Sequence, residues 1–162
     1  MPKNKGKKWE EQFKEDWELC FPDTFCFRLK DQESRRKHTS KNPCDFLCFP
    51  NTKLYMLEVK SHKGNTFPFS CFKQYDLLKS YKDLKNVKCG VVIWFIDHTK
   101  IIYVSIQEVI KMREQDNLKS INIKMLRTKE YDIIEIPCEE LKGNRKYPKC
   151  DYTGMVERVD NE

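Results

Sequence analysis

No stretch of the 162-residue chain approaches the roughly 18 consecutive apolar residues that a membrane-crossing helix needs. The basic N-terminus leads into an amphipathic segment, where a secretion signal would carry an apolar core. The chain is therefore expected to be cytoplasmic, with no membrane partner. No C-x-x-C pair occurs among the eight cysteines (Cys20, Cys26, Cys44, Cys48, Cys71, Cys89, Cys138 and Cys150), which argues against a zinc ribbon. In a reducing compartment they stay thiols, and most of them, among apolar neighbours, read as small buried hydrophobes. The three histidines, His38, His62 and His98, are scattered over turns and basic loops and offer no histidine-bound metal centre. An internal repeat and a convincing linker are both lacking. Apolar residues are not scarce enough for disorder, so the expectation is a single domain over 1–162.

Charge is what the chain has in quantity. Its net charge is +6, and basic residues bunch at Lys3, Lys5, Lys7 and Lys8, then at Arg35, Arg36, Lys37 and Lys41. Such clusters favour a polyanionic partner, because phosphate contacts supply most sequence-independent affinity for nucleic acid. The solvated faces of a lysine-rich protein would look the same.

Periodicity orders the rest. Trp9, Phe13, Trp17 and Cys20 recur on one face of a helix expected over 5–20. A strand is predicted at 24–30, an exposed loop at 31–42, and a hairpin at 44–60 with its turn at Pro50-Asn51-Thr52-Lys53. Ser70 is placed to cap a helix through about Lys85. The apolar run Cys89–Ile96 reads as a buried strand, turning at Asp97–Lys100 into a second strand at 101–104. Ser105 is the expected cap of a helix from Ile106 to about Gln115. Beyond it the pattern predicts one strand near 132–136 and then a polar tail.

The chemistry concentrates in the first hairpin, in a D-x12-E-x-K spacing formed by Asp45, Glu58 and Lys60. With Phe49 opposite Leu54 and Leu47 opposite Met56, Asp45 falls directly across from Glu58. Alternation keeps Lys60 on the face of Glu58. Opposed β-carbons lie only about 5 Å apart, and like charges there are destabilising unless a cation sits between them. The plainer alternative is a surface ion pair between Glu58 and Lys60 with Asp45 as a strand-end acid. At about 100° per residue, Glu10 lies about 60° from the centre of the first helix's apolar face and Glu11 about 160° away. Glu10 is thus the helix acid that can join the cluster, unless both only favour the helix dipole.

Asn4–Glu10, Asp45, Glu58-Val59-Lys60 and Thr66–Ser70, in that order and spacing, resemble the RecU-type Holliday junction resolvases of Gram-positive bacteria and their phages. These belong to the PD-(D/E)xK nuclease superfamily. The resemblance covers about residues 4–110 and leaves 111–162 less defined. It implies a restriction-endonuclease-like α/β core, a mixed central sheet with a catalytic hairpin flanked by helices. It implies Glu10, Asp45 and Glu58 as metal-binding acids, the Val59 carbonyl as a backbone ligand and Lys60 as the catalytic lysine. Cys44 stands where the superfamily name has proline. The helix after Phe67-Pro68-Phe69 usually carries a supporting glutamine; Asp76 has that spacing and Gln74 is two residues early, so either is a candidate.

Residues 31–42 are shorter than the family's junction-entering stalk, which leaves a reduced stalk bearing Arg35, Arg36 and Lys37. The implied reaction is hydrolysis of DNA phosphodiesters, by paired nicks in a four-way junction, with Mg²⁺ as cofactor, Mn²⁺ able to replace it, and no small-molecule cofactor. Two symmetric nicks imply a C2 homodimer. Lys3, Lys5, Lys7, Arg35, Arg36, Lys37, Lys41 and His62 are the expected DNA contacts. A restriction- or repair-type nuclease, a non-catalytic DNA-binding protein of the same fold and an RNA-directed nuclease remain alternatives. Phe67, Phe69 and Phe72 read as core aromatics more readily than as base-stacking ones.

Overall fold

A computed structural model describes residues 5–30, 42–139 and 146–162, with the side chain of Lys5 excepted. The chain opens with α1 (Lys5–Cys20) and the short strand β1 (Phe25–Arg28), then β2 (Phe46–Phe49) and β3 (Leu54–His62). After β4 (Thr66–Pro68), a 3-10 turn at Phe69–Cys71 and α2 (Tyr75–Ser80) come β5 (Val87–Phe95) and β6 (Lys100–Ser105). The remainder holds α3 (Ile106–Ile110), β7 (Ser120–Asn122), α4 (Met125–Thr128), β8 (Ile133–Glu135), β9 (Cys138–Glu139), β10 (Lys149–Cys150) and α5 (Thr153–Asp160).

Six strands form one sheet in the order β1-β2-β3-β5-β6-β8. Only the central β3–β5 pair is parallel, and its crossover carries β4 and α2. The result is the expected mixed α/β architecture, a central sheet flanked by helices. None of the helices described is long and apolar enough to cross a membrane.

Alternation along the central strands builds two cores. Tyr55, Leu57 and Val59 of β3, with Val92 and Trp94 of β5, face α1 and α5. Met56 of β3, with Val91, Ile93 and Phe95, faces the layer of Phe67, Phe69, Leu78 and α3. The α1 periodicity holds: Trp9, Phe13 and Trp17 are fully buried, and Trp9 packs on Trp94 with ring centroids 5.1 Å apart. Gly90 is required by close approach, since a β-carbon there would lie 2.4 Å from the Tyr103 ring. Ser105 caps α3 as expected, its hydroxyl accepting from Glu108 N–H at 3.3 Å. The helix then continues through Gln115 as a π-helical turn.

Two expectations fail. The helix from Ser70 to Lys85 is instead a 3-10 turn followed by six residues of α2, whose N-cap is Gln74. The buried side chains of this stretch, Phe69, Phe72, Tyr75 and Leu78, recur every three residues. That is the period of a 3-10 helix, in which the stretch opens before α2 begins. The polar tail after 136 is instead a small β9–β10 pair and α5, with Tyr152, Met155, Val156 and Val159 buried beside α1. Those four follow i, i+3, i+4, i+7, and burying them anchors the C-terminus in the α1-side core. The loop expected at 31–42 lies outside the described residues apart from Asn42.

Candidate active site

The hairpin register is as expected where the ladder runs: Phe46 opposite Leu57, Leu47 opposite Met56, Cys48 opposite Tyr55. It stops before Asp45, so Asp45 and Glu58 are not a ladder pair. Asp45 divides its backbone between neighbours. Its N–H donates to Leu57 O at 3.0 Å, and its carbonyl accepts from Leu29 N–H at 2.8 Å. In a regular antiparallel pair both groups would serve the same partner residue. Asp45 is thus turned out of the pleat, and Oδ2 accepts the Val59 N–H at 2.8 Å. The side chain is clamped to β3 one residue beyond Glu58.

Glu58 lies in the interior of β3, beside Val91 of the parallel neighbour, and is only 1% exposed. Neither of its carboxylate oxygens receives a hydrogen bond from the backbone or from a neutral side chain. Its partner is the Lys60 ammonium, whose Nζ stands 3.1 Å from Oε2 and 3.6 Å from Asp45 Oδ2. One ammonium therefore serves two carboxylates. Burial, then the charge of Asp45, push the Glu58 carboxyl up to about 7, against the pull of Lys60. Burial works against the charge of Lys60, but Glu58 and Asp45 outweigh it and hold its pKa above the ordinary lysine value.

Glu10 reaches the edge of this cluster from α1. Trp9 Nε1 donates to the Lys60 carbonyl at 3.1 Å, which docks the helix on β3 at the level of the site. Burial and the nearby Asp45 raise the Glu10 pKa, and Arg28 opposes the rise. Arg28 of β1 is ion-paired to Glu10. Among the described residues no three histidine, cysteine or acidic groups stand close enough to hold one metal ion together. Asp45, Glu58 and Lys60 are brought together, then, while Glu10 stays tethered to Arg28.

Arg28 escaped the sequence reading. The available signal was its place in the apolar run Phe25-Cys26-Phe27-Arg28, where alternation puts it on the face of the half-buried Cys26. Gln74 ends up at the N-cap of α2 and Asp76 is exposed in its first turn; no hydrogen bond or ion pair joins either to Glu58 or Lys60. His62 closes β3 half-buried and meets Phe67 edge-on at 5.9 Å. Phe67, Phe69 and Phe72 are core residues, as expected. Lys7 is exposed on α1. Lys3, Arg35, Arg36, Lys37 and Lys41, and the side chain of Lys5, lie outside what the structure describes.

The residues present fit a hard divalent cation. Glu58 offers two buried oxygens that no backbone or neutral donor occupies, Asp45 is held beside it, and all-oxygen donor sets of this kind suit Mg²⁺ or Mn²⁺.

No family model matches the sequence, and no curated protein does. Among solved structures, the chain is similar to Hjc of Archaeoglobus fulgidus, a Holliday junction resolvase from an archaeal hyperthermophile. The identity is 16%, the TM-score 0.47, and the likeness covers 64% of this chain and 78% of that one. A likeness of that size leaves the reading of the site to its own residues.

Proposed function

We propose that the protein is a metal-dependent DNA endonuclease that resolves four-way junctions by paired nicks, acting as a cytoplasmic homodimer. The observation that carries the reading is Glu58: a carboxylate taken out of water, given no backbone or neutral hydrogen-bond donor, and set with Asp45 around the Lys60 ammonium. A buried charge of that kind is costly and persists where a site requires it. The order and spacing of Glu10, Asp45, Glu58-Val59-Lys60 and Thr66–Ser70, which resemble RecU-type resolvases, support the choice of substrate.

Glu58, Asp45 and the Val59 carbonyl would hold Mg²⁺, with Glu10 direct or through water; when bound, the ion acidifies a water and offsets charge on the phosphate. The protein's own groups do the rest. Asp45 is positioned by the Val59 N–H, so its free oxygen has one orientation. Lys60, held between two acids, remains an ammonium and donates to the attacking water or to a phosphate oxygen as negative charge grows. Its placement is fixed in advance by β3 and by Trp9 on its carbonyl. Lys7 and the basic 35–41 segment would supply phosphate contacts that orient the duplex arms.

The test is cutting of a synthetic four-way junction by wild type and Asp45→Asn, with and without Mg²⁺. Symmetric nicks that need Mg²⁺ and vanish in the variant support the reading. Preference for linear duplex assigns a restriction- or repair-type nuclease. Tight junction binding with no Mg²⁺-dependent cutting assigns a DNA-binding protein.

A further inference from the structure

Four of the eight cysteines stand in two cross-strand pairs. Cys26 lies directly opposite Cys48 in β1–β2, with sulfurs 3.5 Å apart. Cys138 lies directly opposite Cys150 in β9–β10, with sulfurs 3.2 Å apart. Directly opposed residues in an antiparallel pair have α-carbons about 4.5–5.5 Å apart, inside the range a disulfide spans. Both pairs are thiols here.

Access separates the two. Each pair joins one half-buried thiol, Cys26 or Cys138, to one buried thiol, Cys48 or Cys150, that is held well above the ordinary range. What differs is the cavity beside the second pair. Cys138 is half-buried and, with Cys150, lines a cavity of about 560 Å³ beside Asp16, Leu19 and Cys20 of α1. The two sulfurs share one proton contact, which lowers the pKa of Cys138, the thiol nearer solvent, and raises that of Cys150. In the same cavity Cys20 is no rival, because burial and Asp151 hold its proton on. The pair therefore contains an attacking sulfur with an approach route and a resolving sulfur already in contact with it.

We propose that Cys138 and Cys150 form a reversible dithiol–disulfide site whose co-reactant is a low-molecular-weight disulfide entering through this cavity. The Cys138 thiolate attacks one sulfur of RSSR, forming a mixed disulfide and expelling RS⁻, which leaves protonated as RSH. Cys150 then gives up its proton and attacks Cys138 Sγ, releasing the second RSH. Two protein thiols are oxidised, one external disulfide is reduced, and two protons leave with the products. The closed bond joins β9 to β10 where Cys150 N–H also donates to Asp16 at 3.0 Å, so it braces the hairpin against α1.

The full-length protein, incubated with oxidised glutathione near neutral pH, is mapped by mass spectrometry of non-reduced peptides. The expected result is loss of two hydrogens in a peptide pair joining Cys138 to Cys150, with Cys26 and Cys48 remaining thiols. A rise in Tm of about 5 °C, reversed by dithiothreitol, should accompany it. Cys20→Ser should keep both changes, and Cys138→Ser and Cys150→Ser should abolish them. A persistent glutathione adduct on Cys138 without closure, earlier closure of Cys26–Cys48, or no oxidation of the pair would each overturn the proposal. Wild-type mapping decides this even if a serine variant fails to fold.

Discussion

Among the described residues two carboxylates are buried, and they are treated in opposite ways. Asp16 on α1 is 2% exposed and accepts from Gln12 Nε2 at 2.8 Å and from the Cys150 N–H at 3.0 Å. Glu58 on β3 is 1% exposed and accepts from no backbone or neutral group; its partner is the Lys60 ammonium at 3.1 Å, which it shares with Asp45. A buried acid that is fully bonded does structural work, here joining α1 to β10. One left open, beside a second acid, stores a cost that folding alone does not explain. The contrast separates Glu58 from a structural acid more sharply than burial does, and it can be broken at either end.

The largest effect belongs to chemistry. On the proposed reading, Glu58→Gln keeps the shape of β3 but removes the charge that would hold the cation. Mg²⁺-dependent cleavage of a four-way junction should fall by on the order of 10²-fold or more. Initial rates at saturating Mg²⁺ measure it, and a rate within a few-fold of wild type would make Glu58 a structural acid like Asp16.

The same variant should gain stability, which is the less ordinary consequence. The Glu58 carboxyl titrates at about 7 in the folded protein against an ordinary value of 4.5, so the folded state binds its proton more tightly than the unfolded chain. Its favourable contribution is complete below the ordinary value and is lost as pH rises toward 7. Metal-free wild type should therefore lose on the order of 3 kcal/mol across that window through this group, and Glu58→Gln should not. Urea denaturation at pH 5 and pH 8, without divalent ions, compares the two slopes. Added Mg²⁺ should restore wild type at pH 8 and leave the variant unmoved.

Asp16 supplies the opposite arm. Asp16→Ala strands the buried Cys150 N–H and should destabilise the protein by about 2 kcal/mol, with cleavage per folded molecule unchanged. Equilibrium unfolding together with active-site-normalised rates would expose any failure of that separation.

Legibility in the sequence follows the same division. What rests on local rules was readable: the 3.6 period of Trp9, Phe13 and Trp17, the Leu47–Met56 register, the Ser105 cap. The period of three at Phe69, Phe72, Tyr75 and Leu78 was visible too, but a serine before an apolar stretch resembles an α-helix cap, and that favoured the wrong helix. Tyr152, Met155, Val156 and Val159 carry a helical stripe that their short, charged surroundings disguise. Glu58 and Lys60 were legible as neighbours because two strand residues on one face need no tertiary information. The Asp16–Cys150 bond, 134 residues apart in sequence, and the Arg28 partner of Glu10 could not be read, since only the packing of α1 on β1 and β10 creates them.

Arg28 also offers the smallest and most discriminating change. Glu10 lies between the two classes of acid, neither fully bonded nor open, because one guanidinium occupies it. Both partners are partly solvated, so Arg28→Gln should change stability by less than about 1 kcal/mol. Its effect should appear in the site. Freed from Arg28, Glu10 is left with Asp45 as the strongest charge acting on it and gains from any cation placed between them. Mg²⁺ should bind Arg28→Gln a few-fold more tightly than wild type, measured by calorimetry, and Glu10→Gln in the same background should cancel the gain. Unchanged or weaker binding would place Glu10 with Asp16, as an acid whose partner is structural, and would leave Asp45 and Glu58 to hold the cation alone.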